Sequence, residues 1–377
     1  MVPSFSSHSS SLGSTAAGFA DWRDIEALRA RLKEGLAIPA HPLALDASRR
    51  LDPRRQRALT RYYLDAGAGG LAVGVHTTQF AIREAGLYEP VLRGAIETAR
   101  DWRRDAPPPV MVAGACGTTA QAVAEARLAR ELGYHAVLLS LAALKGADDG
   151  TLIAHCEAVA RELPLIGFYL QPAVGGLDLS AAFWARFAAL ERVVAIKVAP
   201  FNRYRSLDVV RGVVAARAED RVVLYTGNDD HIVLDLVMPL QAMRDGAPVT
   251  VRFRGGLLGH WSVWTKGAVE LLERCKQAVA AVETGPNGAV AADLLALDSR
   301  VTDCNSAFFD VANGFLGCIA GCHEVLRRQG LLDGIWCLDP HEGLGPGQAA
   351  EIDRVLVEHA DLGDDAFVAA NLERWLS

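Results

Sequence analysis

Five lysines stand among the 38 basic residues of this 377-residue chain, at positions 33, 145, 197, 266 and 276. One of them, Lys197, interrupts the apolar run VVAIKVAP. Alternation along a strand puts Ala195 and Lys197 on one face and Ile196 and Val198 on the other. With the branched residues turned toward covering helices, Lys197 points into the interior. An ammonium there is desolvated, which lowers its pKa and exposes a free amine able to attack a carbonyl carbon and form a Schiff base; a guanidinium cannot do this. The plainer reading of the residue alone is a lysine that snorkels out at the strand end. Tyr169 ends the preceding apolar run, LPLIGFYLQ, with Gly167 on its face leaving room beneath the ring. Its phenol is expected beside Lys197 across adjacent strands, where it would shuttle protons to and from an imine. Taken alone, it reads equally well as a packed tyrosine with its hydroxyl on water.

Other polar residues fall near the ends of apolar runs. His41, His76, Asn228, His231 and His260 are candidates for substrate contact, although any single histidine in such a place is more often a satisfied loop or surface group. Cys318, Cys322 and His323 form a C-x3-C-H group on a helical stretch. Zinc needs a complete ligand set, and thiols one turn apart on an apolar helix face usually pack, so neither a metal nor a cofactor is expected.

These side chains need a scaffold that turns strand ends toward one another. Strand-like runs begin at 37, 69, 109, 135, 163, 193 and 221, with a last one near 249–260, and stretches of helical spacing such as TAQAVAEARLAREL (119–132) separate them. Eight strand–helix units point to a (β/α)8 TIM barrel, in which reacting groups sit at the C-terminal ends of the strands. The near-continuous apolar character of the runs fits parallel strands covered on both faces. An open doubly wound sheet shares this periodicity, but no GxGxxG follows the first strand. Two segments compete for the eighth strand, VTVRF (249–253) and GGLLGHW (255–261), one of them being an insertion. The organisation expected is a flexible Ser-rich tail over 1–18, a barrel with a leading helix over 19–285 and a C-terminal helical extension over 286–377. The leading helix is placed at 21–33, opened by Asp21, with Ile25, Leu28 and Leu32 on its apolar face.

Composition narrows the partners. With 51% hydrophobic and 22% charged residues the chain is neither disordered nor a coiled coil. A formal charge of -7 provides no chain-wide positive field for nucleic acid or an anionic membrane, so a small-molecule partner is expected. No apolar run approaches the roughly 18 residues of a membrane helix, and the N-terminus lacks a basic region followed by an apolar one, which together suggest a cytoplasmic protein. Seven scattered cysteines read as reduced, mostly buried thiols.

FYLQP, followed 28 residues after its tyrosine by the lysine of AIKVAP, resembles the paired signature of the dihydrodipicolinate synthase and N-acetylneuraminate lyase family of (β/α)8 enzymes. GLAVGVHTTQF (70–80) resembles the family's second-strand loop, usually Gly-Thr-Thr-Gly-Glu or Gly-Ser-Thr-Gly-Glu, and places Thr77 and Thr78 on its hydroxyl pair. LYTGNDD (224–230), with Gly227 and Asn228, resembles the seventh-strand Ser-Gly-Asp-Asp, and GLLDGIWCLDPHEGLGPGQAAEID (330–353) resembles the run into the last helix. The resemblance covers about residues 36–360. It implies a class I aldolase or lyase acting on a 2-oxo acid, pyruvate above all, together with a second carbonyl substrate. On that reading Lys197 forms the imine, Tyr169 moves protons, Thr77 and Thr78 hold the carboxylate, and His76, Gly227 and Asn228 surround the substrate. Hydroxyls and backbone N–H groups in a tight loop suit an anion. A homo-oligomer, dimer or tetramer, is also implied.

Dehydration or hydrolysis through the same imine, and a catalytically silent barrel that binds a metabolite, are the alternatives. Three departures from the family pattern bear on the choice. His76 stands where the family has Gly, adding bulk and, when protonated, charge, while Gln79 and Phe80 replace Gly-Glu. LLSLAALKG (138–146) has no aromatic pair, so the tyrosine that some members lend to a neighbouring subunit is missing. No arginine follows Tyr169 in Leu-Gln-Pro-Ala-Val-Gly-Gly, so the synthase branch's clamp on a distal carboxylate is missing too. These departures point away from dihydrodipicolinate synthesis and toward a lyase or aldolase with another acceptor.

Overall fold

The computed structural model describes residues 24–102, 106–284 and 289–377; the expected tail over 1–18, and Asp21, lie outside them. The leading helix α1 (Ile25–Lys33) is capped by Asp24, whose carboxylate accepts from the Ala27 N–H at 2.8 Å. Capping by an acidic side chain satisfies one of the orphan donors of the first turn. The cap is thus three residues later than Asp21.

Seven apolar runs become strands β1 (Ala37–Pro39), β2 (Gly70–Val73), β3 (Val110–Ala115), β4 (Ala136–Leu139), β5 (Leu165–Leu170), β6 (Val193–Ala199) and β7 (Val223–Thr226), every residue of them buried. From β2 to β7 they pair in parallel with their chain neighbours. The ambiguous region resolves into an antiparallel hairpin, β8 (Leu240–Arg244) with β9 (Ala247–Val251), and then the eighth barrel strand β10 (Phe253–Leu258), which lies between β7 and β1. A parallel bridge between Ala40 and Ala72 joins β1 to β2, so the sheet closes on itself. The fold is a (β/α)8 barrel.

Side chains from alternate strand positions fill its interior. At the N-terminal end the plug is α1: Leu28 and Leu32 are fully buried against the inner faces of β6 and β7. Tyr225 fastens it, its hydroxyl donating to the Leu32 carbonyl at 2.8 Å and accepting from the Leu36 N–H at 3.1 Å. The lower interior is therefore solid, and space for a ligand remains at the C-terminal strand ends.

Beyond the helix Thr265–Thr284 the described residues form four longer helices, Ala292–Phe308, Cys318–Arg328, Gln348–Glu358 and Asp365–Leu376. Phe308, Cys322, Val325 and Leu326 are buried in the same hydrophobic core as the barrel helices, and each fully buried Phe or Leu contributes about 1.5–3 kcal/mol. At the far end of the chain, Trp375 is fully buried and donates to Asp65 of α2 (Pro53–Ala66) at 2.6 Å. The extension is thus packed onto the barrel along its length. All seven cysteines are free thiols, five of them buried. Among the described residues no helix is long and apolar enough to cross a membrane.

Candidate active site

Lys197 on β6 is register partner to Phe168 on β5. Paired positions of parallel strands face the same way, so both side chains enter the barrel. The lysine ammonium lies 4.5 Å from the centroid of the Phe168 ring and the residue is only 8% exposed. Its aliphatic stem depends on Gly227, just past β7: a Cβ there would stand 2.7 Å from Lys197 Cε and 2.8 Å from Ala199 Cβ. Burial pushes the lysine pKa down from its ordinary value, with the Asp229 carboxylate pulling the other way.

Asp229 is the residue that sequence reasoning missed. It lines the same cavity, is buried, and accepts from the His260 N–H through Oδ1 at 2.9 Å. Its Oδ2 makes no hydrogen bond to the described residues. Burial drives its pKa well above the carboxylate range, the Lys197 charge opposing. The signal was there in the Asn-Asp-Asp run after Gly227, but three adjacent polar residues at a strand end do not announce which one turns inward. Asn228 turns away. Its amide donates to Asp235 Oδ2 at 2.9 Å and to Ser206 Oγ at 3.3 Å, and its Oδ1 accepts from the Phe201 N–H at 3.1 Å. It ties the β7 loop to the neighbouring unit and so positions Gly227 and Asp229.

The β2 loop divides its residues similarly. Thr77 lines the cavity, and its hydroxyl makes no hydrogen bond to the described residues. Thr78, expected to share the task, is fully buried elsewhere: its hydroxyl donates to the His41 carbonyl at 2.7 Å and accepts from the N–H groups of Gly74 and Val75. It shapes the turn and has nothing left for a ligand. His76 lines the cavity, and burial with help from the Lys197 charge pushes its pKa down to about 4, so it adds bulk without charge at neutral pH. Gln79, where the family has Gly, holds a left-handed backbone at φ 67°. That conformation costs a side-chain-bearing residue free energy, and its side-chain oxygen gains the Leu338 N–H at 2.6 Å in return.

Tyr169, expected beside Lys197, does not line the cavity. It faces the helices, its ring 5.2 Å from that of Trp184 on the helix Ala181–Ala189, with its hydroxyl donating to the Leu179 carbonyl and accepting from the Leu179 N–H, both at 3.2 Å. Gly167 does share its face, and the room it leaves is taken by Phe187 and Trp184. The cause is a register shift between Leu165 and Ile166: Leu165 pairs with Val193, but Ile166 pairs with Ala195. A slip of one residue exchanges the faces of a strand, which puts Phe168 beside Lys197 and Tyr169 outside. His41 is likewise outside the cavity, a buried neutral histidine bonded to Thr60 and the Pro42 carbonyl. His231 pairs with Asp298, and His260 contributes its backbone to Asp229.

The extension forms the roof. Phe309, Phe315, Cys318, Ile319 and Cys322 line the cavity, while His323, beside them in sequence, is fully buried and does not line it. The space at this end of the barrel, about 640 Å3, includes its open mouth.

A closed parallel barrel with a roofed cavity at the C-terminal strand ends defines the (β/α)8 class, and here Lys197 and Asp229 both line that cavity. Within that class the chain belongs to the dihydrodipicolinate synthetase family, whose model matches residues 36–242. It is 30% identical over 193 residues to the 4-hydroxy-tetrahydrodipicolinate synthase of Stenotrophomonas maltophilia (strain R551-3), covering 50% of this chain and 60% of that protein. It is 25% identical over 180 residues to the enzyme of the same name from Halorhodospira halophila, covering 48% and 57%. The chain thus spans less than two thirds of the length of the curated relatives it matches. Similar solved structures include the prophage protein YagE of E. coli K12 in complex with pyruvate (17% identity, TM-score 0.69, 86% of this chain and 98% of that one). The chloride-inhibited dihydrodipicolinate synthase of Acinetobacter baumannii, complexed with pyruvate, is also similar (19% identity, TM-score 0.69, 86% and 99%). A monomeric dihydrodipicolinate synthase variant matches with 18% identity and a TM-score of 0.67, over 87% and 98%.

Proposed function

We propose that this protein is a Schiff-base-forming class I aldolase or lyase acting on pyruvate or a related 2-oxo acid. The observation that carries the reading is Lys197: one buried amine, its pKa lowered, facing a cavity at the C-terminal end of a barrel in this family. The neutral amine attacks the C2 carbonyl, the carbinolamine loses water to give the imine, and loss of a C3 proton gives the enamine whose C3 adds to a second carbonyl carbon. Hydrolysis then returns the lysine, and the reverse sequence is cleavage. Thr77 offers a hydroxyl donor for the carboxylate. Asp229 stands where a proton donor is needed, its raised pKa keeping the carboxyl protonated further toward neutrality than an ordinary aspartate.

Borohydride reduction in the presence of pyruvate tests this. The expected result is covalent mass on Lys197, lost in Lys197→Arg because guanidinium is not a free base at neutral pH. An adduct on another lysine refutes the assignment. No adduct from any 2-oxo acid would leave a barrel that binds a metabolite without turning it over.

A further inference from the structure

The polar lining of the cavity is confined to a few groups, His76, Thr77, Gln171, Lys197 and Asp229 among the side chains. Much of the rest is apolar, Phe168, Leu170, Val174, Phe201, Phe309, Phe315 and Ile319 among it. We infer that this apolar region receives an uncharged aryl group on the second substrate, so that the enzyme joins pyruvate to an aryl aldehyde or cleaves the corresponding 4-aryl-4-hydroxy-2-oxo acid. The inference rests on the Schiff-base reading above and adds the acceptor's chemical class.

Charge excludes the obvious rivals. Among the described residues Lys197 is the sole lysine or arginine that lines the cavity, and in the enamine that attacks the acceptor its nitrogen carries no charge. Arg203 and Arg205, which follow β6, are committed to Asp235 and Asp178. A carboxylate on the acceptor would enter without a cationic partner, and an unpaired buried charge is strongly disfavoured. A polyhydroxylated acceptor would meet mostly carbon, leaving its hydroxyls unbonded.

The aromatic lining is also built, which distinguishes it from incidental packing. The Phe201 and Phe315 rings meet edge to face, 5.9 Å apart at 71°, a geometry that a third ring extends favourably. Both residues hold left-handed backbone, φ 48° and 70°, where glycine would be relaxed. The turn carrying Phe315 is clamped from both sides: Asp310 accepts the Gly317 N–H at 3.0 Å, and the Gln348 amide donates to the Gly317 carbonyl at 3.1 Å.

In the proposed addition a bond forms between pyruvate C3 and the aldehyde carbon, the C3 proton is balanced by the proton gained at the new hydroxyl oxygen, and no oxidant or reductant is needed. The test is the full chain with pyruvate and, in parallel, benzaldehyde, 4-carboxybenzaldehyde and glyceraldehyde, with product formation followed by mass spectrometry and pyruvate trapping by borohydride run beside it. Benzaldehyde is expected to exceed both others in kcat/KM by at least about 100-fold, and Phe315→Arg to narrow the gap to 4-carboxybenzaldehyde by at least about tenfold. Ile319→Arg provides the same comparison should Phe315→Arg fail to fold. If pyruvate is trapped on Lys197 but the carboxylated or hydroxylated aldehyde reacts as well as benzaldehyde, or no aldehyde reacts, the aryl inference is overturned and the Schiff-base reading stands. If pyruvate is not trapped, the underlying reading fails and the inference goes with it.

Discussion

An imine forms only if a proton reaches the departing hydroxyl, and the titratable side chains lining the cavity, among the described residues, are His76, Lys197, Asp229, Cys318 and Cys322. His76 is held neutral, and burial raises both thiols, Cys322 to about 12, so neither kind of group exchanges protons readily near pH 7. Asp229 remains. Asp229→Asn is expected to lower turnover by about 100-fold or more with the fold intact. Tyr169→Phe is expected to leave turnover within a few-fold while lowering unfolding free energy by about 1 kcal/mol, since its hydroxyl contacts to Leu179 and Asp178 are lost. Steady-state kinetics and urea unfolding check both, and the reverse pattern would restore Tyr169 to the chemistry. The pH profile carries the sign: the productive pair has a neutral amine and a protonated carboxyl. Rate therefore falls on the acid side as the amine is protonated and on the alkaline side as the carboxyl ionises, with apparent pKa values belonging to the pair. Asp229→Asn should abolish the alkaline limb and keep the acid one. Lys197 itself was legible from strand alternation, because Ile196 and Val198 needed the helix side. Asp229 was not, because alternation ends where the strand does.

Elements decide what residue types cannot. The seven strands with unbroken apolar runs were legible, and so was the helix-rich end of the chain, but the facing of β5 was not, because a register shift leaves no mark on composition. The β8–β9 hairpin shows why the eighth strand was ambiguous: β9 alternates in burial as a half-exposed strand does, whereas β10 carries Gly255 and Gly256, poor strand formers whose missing side chains admit Leu36, Tyr225 and Trp261. The roof escaped notice for a related reason, since an apolar helix face over a cavity has the same spacing as one over a core. Its anchor is Gln348, whose amide nitrogen donates to the carbonyls of Ala307, Phe308 and Gly317 and whose oxygen accepts from the Gly345 N–H. Gln348→Ala leaves these backbone groups buried with fewer partners, and an unfolding free energy lower by about 2–4 kcal/mol is expected from urea titration. A change under about 0.5 kcal/mol would mean that the roof is held by its apolar contacts alone.

At the scale of the whole molecule, folding buries histidines in a way that acid should expose. Burial pushes His41, His76, His260 and His323 down to about 4 from an unfolded value near 6.5. Below pH 6.5 the unfolded chain binds protons at these four sites that the folded chain refuses, so their effect is to reduce stability progressively as pH falls toward 4. Carboxyls whose pKa values burial raises, Asp229, Asp230, Glu342 and Asp364, work the other way, since in the folded state they bind protons over part of the same range. With His155, also lowered by burial, five histidines stand against four carboxyls and leave a small net loss, each uncompensated proton being worth about 1.4 kcal/mol per pH unit. Urea unfolding at intervals from pH 7 to 4.5 should therefore show a falling free energy well before ordinary surface carboxylates titrate. His323 isolates the effect because it is fully buried and lies outside the cavity. His323→Leu should flatten the acid slope by about one proton, roughly 1.4 kcal/mol per pH unit, whatever it does to stability at pH 7. A slope unchanged by that substitution would show that His323 is not the neutral buried group its surroundings require.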